Sequence, residues 1–244
     1  MCASGKGVQA EGFGAPALAV CGPSGSGRNA LQAWRQRPLY AGLLVGGKST
    51  RMGQPKQLEP FQGSTLGEIA ARALSDGMEA ECGLDGLTLW SANLLLLGSG
   101  TVPTALAALP RLDDAPGVGG PLAGVLAARR WAPRAAWVVA ACDHPWLRAE
   151  EIRALVGQRR PGVWAILAQQ GDQRPCPTLA LYEPQALSLL ERALHAGRSD
   201  VRLAELIDHP RTVVHSLDTR GAVNVNTPEE LAAAEKQALE EGKI

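Results

Sequence analysis

Lys48, Arg51 and Lys56 stand close together in the stretch Gly46-Gly47-Lys48-Ser49-Thr50-Arg51-Met52-Gly53-Gln54-Pro55-Lys56. A loop of glycine, serine and threonine leaves backbone N–H groups to point at an anion, and glycine lets the backbone approach closely. Arginine then offers a planar fork to phosphate oxygens and lysine a point charge. An isolated glycine pair with nearby cations also describes a solvated basic turn. Here Tyr40 to Leu43 reads as a buried strand before the loop, and a helical pattern follows it. That order favours a nucleotide phosphate site.

A second chemical group stands at Asp143, directly after the run Ala135-Ala136-Trp137-Val138-Val139-Ala140-Ala141-Cys142. The run has no polar break, as expected of a strand buried on both faces of a parallel sheet. A lone aspartate after a strand is often a turn-former. Open α/β sheets, however, bind ligands at the carboxyl ends of their strands, and Asp143 occupies such a place.

The intervening elements would position both groups. Leu58 to Phe61 and Ser64 to Leu66 read as short extended pieces joined at Gln62-Gly63-Ser64. Thr65 with Glu68 predicts a capping box, and Leu66, Ile69, Ala70, Ala73 and Leu74 form an apolar helical face. Leu94 to Leu97 is a second apolar run, closed by Gly98-Ser99-Gly100. A helix is expected from Pro121, another over residues 150–158, a strand over 163–168, and a helix over 184–197 ending at Gly197. Ala222-Val223-Asn224-Val225-Asn226 reads as a short strand, with Thr227 capping a last helix that opens on Pro228.

The chain has 244 residues, which is one domain and some extra at about 100–200 residues per domain. Hydrophobic residues make up 45%, and Lys+Arg and Asp+Glu stand at 24 each, so general nucleic-acid or membrane-surface binding is not expected. The five cysteines are scattered without metal-ligand spacing, which suits buried thiols in a reducing cytoplasm. Residues 1–37 form a Gly/Ala/Ser-rich extension, and residues 38–244 the main domain. Within the extension, Gly22-Pro23-Ser24-Gly25-Ser26-Gly27-Arg28-Asn29 resembles a P-loop whose lysine and hydroxyl positions are replaced.

Gly46-Gly47-Lys48-Ser49-Thr50-Arg51-Met52-Gly53 with Lys56 resembles the signature loop of nucleotidyltransferases that activate small molecules with a nucleoside triphosphate. Gly120-Pro121-Leu122-Ala123-Gly124, Cys142-Asp143-His144-Pro145 and Asn224-Val225-Asn226-Thr227-Pro228 resemble, in order, further motifs of the molybdenum cofactor guanylyltransferases. The resemblance implies an α/β, three-layer Rossmann-like nucleotidyltransferase fold with a mainly parallel central sheet. It implies transfer of GMP from GTP to the terminal phosphate of molybdopterin, with release of pyrophosphate. Lys56, Arg51 and Asp143 would be the catalytic groups. Leu44, Val45, Gly46, Gly47, Ser49, Lys56, Asp113 and Asp143 would bind the nucleotide, and Asp143 would hold Mg2+. A carboxylate at Asp113 suits guanine, whose ring N–H and amino group are adjacent donors. Arg174 either meets a phosphate of the pterin substrate or is a solvated turn residue, and Asn226 approaches substrate or metal. His144 is expected to be structural. Molybdoenzyme maturation proteins are the expected further partners.

The pattern departs at Pro55, where guanylyltransferases carry an aspartate before the lysine. The alternatives are therefore a molybdenum cofactor cytidylyltransferase or another small-molecule nucleotidyltransferase. From a different class, the alternative is a non-catalytic nucleotide-binding regulatory module.

Overall fold

A computed structural model of the chain describes residues 37–46, 54–82, 93–217 and 219–240. Within these residues, Leu39–Leu44 forms strand β1. The hairpin Pro60–Phe61 (β2) and Ser64–Thr65 (β3) follows, turning through Gln62 and Gly63, both with positive φ. Helix α1 (Leu66–Cys82) leads to strands β4 (Leu94–Leu97) and β5 (Arg111–Leu112). Helix α2 (Pro121–Trp131) then leads to β6 (Ala136–Ala141), and α3 (Ala149–Gly157) to β7 (Ala165–Gln170). The remainder is β8 (Cys176–Tyr182), α4 (Pro184–His195), β9 (Thr212–Leu217) and α5 (Pro228–Glu240).

Seven strands form one sheet in the order β5-β4-β1-β6-β8-β7-β9. Only β8 runs against its neighbours, so the sheet is mainly parallel, as the sequence predicts. Both faces are covered, which is why the strands read as unbroken apolar runs. Successive residues alternate between the two layers. Leu43, Leu96, Val138 and Leu181 face one layer with Leu74 of α1 and Ile152 and Leu155 of α3. Leu97, Val139, Ala180 and Tyr182 face the other, with Val125 and Leu126 of α2 and Leu187 and Leu190 of α4. A third cluster joins Leu231, Ala234 and Ala238 of α5 to Phe61 and Leu66.

The chain leaves β1 for β4 on one side and later returns to β6 on the other side of β1. This reversal opens a crevice at the carboxyl ends of β1 and β6, where open α/β sheets take their ligands.

Residues 222–226 do not form the expected strand. Their backbone groups bond to the end of β6 and to the Lys56 side chain instead of to a ladder: Val225 N–H donates to the Asp143 carbonyl at 2.8 Å. The P-loop-like stretch of residues 22–29, and Gly47, Lys48, Ser49 and Arg51 of the signature loop, lie outside the described residues. No described helix is long and apolar enough to cross a membrane.

Candidate active site

Three strand ends build the site. β1 delivers Leu44, Val45 and Gly46, β4 delivers Leu97 and Gly98, and β6 delivers Cys142 and Asp143. The Cys142 thiol donates to the Leu44 carbonyl at 3.3 Å, tying the ends of β1 and β6 together. Burial pushes that thiol far up, with Asp143 adding to the effect, so Cys142 is an inert structural group. Gly98 turns at φ +111, and a Cβ there would stand 2.3 Å from the Val45 carbonyl oxygen. Only glycine fits this approach, so no side chain can reach a nucleotide base from position 98.

Lys56 opens a short turn, Lys56–Leu58, that is fixed by its neighbour. Gln57 is buried, and its amide donates to the Thr101 carbonyl at 2.6 Å. The turn aims the Lys56 ammonium inward, where it donates to Val225 O at 2.9 Å and Asn226 Oδ1 at 2.8 Å. Asp143 Oδ2 lies 3.7 Å from the same nitrogen. Lys56 and Asp143 are thus brought together with Asn226, although their chain separation is large. Asn226 is held in turn by its own N–H, which donates to the Glu230 carboxylate.

The second oxygen of Asp143 is differently placed. Oδ1 lies 3.3 Å from His144 Nε2 but out of hydrogen-bond alignment. It is buried without a hydrogen-bond partner among the described residues. Asp143 as a residue lines the cleft, and its carboxylate is the kind of hard oxygen group that suits a cation there.

His144 itself is fully enclosed. With Nδ1 protonated, the ring donates to the Val223 carbonyl at 3.3 Å, while Nε2 lies 3.7 Å from Cys176 Sγ. Burial alone lowers the imidazole pKa, but the Cys176 thiol and the Asp143 carboxylate outweigh it and hold it above the ordinary value. Burial likewise raises Cys176, and the hydrogen bond and charge of His144 bring it below the usual thiol range. His144 therefore braces the Asp143 loop against residues 223–225.

The cleft over these groups has a volume of about 330 Å³. Leu44, Val45, Gly46, Lys56 and Asp143 line it, with Thr178 of β8 and Gly120 and Pro121 at the start of α2. Gly120 has φ +66, which turns the chain so that Pro121 takes the first helical position. The N-terminus of α2 thereby borders the cleft, with its backbone dipole suited to an anion. Of the two adjacent exposed aspartates, Asp114 lines the cleft and Asp113 does not. Burial first, and then the Asp113 charge, raises the Asp114 pKa.

Arg174 is exposed in the turn between β7 and β8 and makes no hydrogen bond or ion pair among the described residues. The sequence did not mark Gln57, Asp114, Thr178 or the Val225 carbonyl as site groups. Gln57 left a trace as a polar residue beside Lys56, but its burial depends on Thr101 and could not be read locally.

This arrangement can hold a phosphate chain against a lysine, a helix N-terminus and a carboxylate ready for a metal. The comparisons with known proteins agree with that chemistry. Residues 41–213 match the model of the MobA-like NTP transferase domain. A molybdenum cofactor guanylyltransferase of Burkholderia ambifaria is 34% identical over 197 residues, covering 78% of this chain and 92% of that protein. A molybdenum cofactor biosynthesis bifunctional protein of Synechocystis sp. is 28% identical over 80% of this chain, which spans 53% of that relative's length. Among solved structures, molybdopterin-guanine dinucleotide biosynthesis protein A of Archaeoglobus fulgidus superposes with a TM-score of 0.59 at 22% identity. It covers 82% of this chain and 99% of its own. The match over most of the chain, on a sheet whose crevice carries Lys56 and Asp143, makes this protein a member of the MobA-like NTP transferase family.

Proposed function

We propose that the protein transfers GMP from GTP to the terminal phosphate of molybdopterin in the cytoplasm, giving the guanine dinucleotide form of the cofactor and pyrophosphate. The observation that carries this reading is the meeting of Lys56 and Asp143, 3.7 Å apart, at the carboxyl ends of β1 and β6. In the reaction an oxygen of the acceptor phosphate forms a bond to the α-phosphorus of GTP. The bond from that phosphorus to the bridging oxygen breaks, and the electron pair leaves with pyrophosphate. No enzyme nucleophile is needed, so positioning and charge neutralisation supply the catalysis.

Lys56 holds triphosphate oxygens, and its bonds to Val225 and Asn226 fix the ammonium before substrate arrives. Gly46 and the start of α2 present backbone N–H groups to the same anion. Asp143 is the residue that would hold Mg2+, and the metal would neutralise charge on the phosphates. Asp114 is the carboxylate facing the cleft and suits the paired donors of guanine. Arg51, Gly47 and Ser49 complete the phosphate loop in this reading, and the product is the form that a molybdoenzyme maturation protein would receive.

Pro55 keeps a second reading in view, since its fixed φ of −59 starts the Lys56 turn without the aspartate of the guanylyltransferase pattern. Binding of GTP, CTP and ATP in the presence of magnesium, to wild type and to Asp143→Ala, separates the readings. Selective magnesium-dependent GTP binding, lost in the variant, is the expected outcome. A preference for CTP would assign the protein to the cytidylyltransferase branch. Magnesium-dependent binding without turnover would leave a non-catalytic nucleotide-binding module, and absence of any nucleotide binding would overturn the transferase reading.

A further inference from the structure

Glu151, in the first turn of α3, is a carboxylate held almost wholly away from solvent, at 2% exposure. Burying such a charge is costly unless its oxygens are bonded. One oxygen has a local duty: Oε2 accepts from the Arg148 N–H at 2.8 Å and so caps the helix. The other serves a distant segment. Oε1 accepts from the Thr219 hydroxyl at 2.6 Å, and the Arg148 guanidinium stands 3.8 Å from the same oxygen. A helix cap needs only the first of these bonds, so α3 by itself does not account for the burial of Glu151.

The segment it holds is the one that reaches the cleft. Thr219 Oγ1 accepts in turn from the Gly221 N–H at 3.3 Å, which closes the turn Arg220–Ala222. Gly221 lies against the Glu151 side chain, and a Cβ there would stand 2.6 Å from Glu151 Cδ. Glycine lets the turn come this close. Ala222 is buried in the same core cluster as Ile152 and Leu155 of α3. The contacts of the site follow directly: Val223 O accepts from His144, and Val225 N–H donates to the Asp143 carbonyl. Val225 O and Asn226 Oδ1 then take the Lys56 ammonium.

The far end of this span is fixed as well, since the Asn226 N–H donates to Glu230 of α5. Residues 220–226 are therefore a span outside the sheet, pinned by Glu230 at one end and by Glu151 at the other. Neither Glu151 nor Thr219 lines the cleft, so each acts on it only through the span.

We propose that Glu151 and Thr219 are positioning residues of the transfer site, which hold Val225 and Asn226 where they keep Lys56 beside Asp143. The expected effect on rate rests on the transfer reading above, and the effect on position rests on the packing alone. A shift of about 1 Å in a group that positions substrate costs on the order of 100-fold in rate, so part of that cost is expected when one pin is lost.

Thr219→Val keeps the shape of the side chain and removes its hydroxyl, while Thr219→Ser keeps the hydroxyl. In the full chain, Thr219→Val should speed hydrogen exchange at the Val225 N–H roughly tenfold and leave the amides of β6 as they are. With GTP, magnesium and molybdopterin, kcat should fall roughly tenfold, while GTP affinity by calorimetry changes less than about threefold. Thr219→Ser should restore both exchange and rate. Thr219 is only half-buried, and Thr219→Ala serves with the same expected losses if the valine variant does not fold. Unchanged exchange at Val225 overturns the proposal, and so does a loss that Thr219→Ser fails to restore. Exchange that speeds equally throughout β6 also overturns it, because the bond would then serve general stability alone. A wild type without turnover would defeat the transfer reading, whereas the exchange comparison needs no turnover and still decides whether Glu151 and Thr219 hold the span.

Discussion

At the scale of single residues, the site depends on two charges that meet only through the fold. Lys56 and Asp143 could each be marked from the sequence, Lys56 because it closes the glycine-rich loop and Asp143 because it follows an apolar run at a strand end. Their separation of 3.7 Å could not, since it depends on β1 and β6 being neighbours. The same holds for Asp114. Its neighbour Asp113 has the same chemistry, and only the direction of the chain after β5 decides which carboxylate reaches the cleft. Asp143→Asn keeps the shape and removes the charge while leaving Lys56 its bonds to Val225 and Asn226. The turnover rate should fall roughly 100-fold or more, the usual cost of one charged stabiliser of a transition state. Steady-state kinetics at saturating GTP measures this, and circular dichroism should show an unchanged fold. A loss below about threefold would show that Asp143 contributes little to the transition state.

At the scale of elements, the local signals that were legible are those with local causes. The capping box forms as the spacing predicts: Glu68 N–H donates to Thr65 Oγ1 at 3.2 Å, and Thr65 N–H donates to the Glu68 carboxylate at 2.9 Å. Ser64 and Thr65 hydroxyls also donate to Glu68, at 3.0 Å each. Residues 222–226 were misread as a strand because alternation of Asn and Val fits a ladder equally well, and the competing partners lie far away in sequence. The cap gives a pH-dependent prediction. Burial alone would raise the Glu68 pKa, but the bonds from Thr65 and Ser64 outweigh it and hold it below the ordinary carboxylate value. A carboxylate lowered on folding stabilises the protein above its unfolded pKa of about 4.3 and loses that contribution as pH falls through the folded value. Thr65→Ala should therefore destabilise the protein by about 1 kcal/mol at neutral pH. The difference from wild type should narrow as pH falls below about 4. Urea unfolding at neutral and acidic pH gives both quantities, and a difference that grows towards acid would refute the assignment.

At the scale of the whole molecule, the two ends of the chain stand in different relation to the site. The family match begins at residue 41 and β1 at Leu39, and every residue placed at the cleft lies after Tyr40. Arg37 already belongs to the body, donating to Gln185 at 3.3 Å and standing 3.6 Å from Glu183. At the other end, α5 begins one residue after Thr227, whose hydroxyl accepts from Glu230 N–H at 3.2 Å. Glu230 binds the Asn226 N–H, and Leu231, Ala234 and Ala238 seat the helix on Phe61 and Leu66. The Lys56 ammonium donates to Val225 and Asn226, immediately before that helix. Removing residues 1–36 should therefore leave kcat/KM within about twofold of the full chain, because no described contact of the site is lost. Ending the chain at Thr227 removes the seat of α5 and the Glu230 bond. Lys56 then loses its fixed partners, and turnover should fall by about tenfold or more even where the rest of the chain stays folded. Kinetics on the two truncations decide this asymmetry. A large loss on removing residues 1–36 would show that the extension contributes to the transfer site. Full activity without α5 would show that Lys56 needs no support from the closing motif.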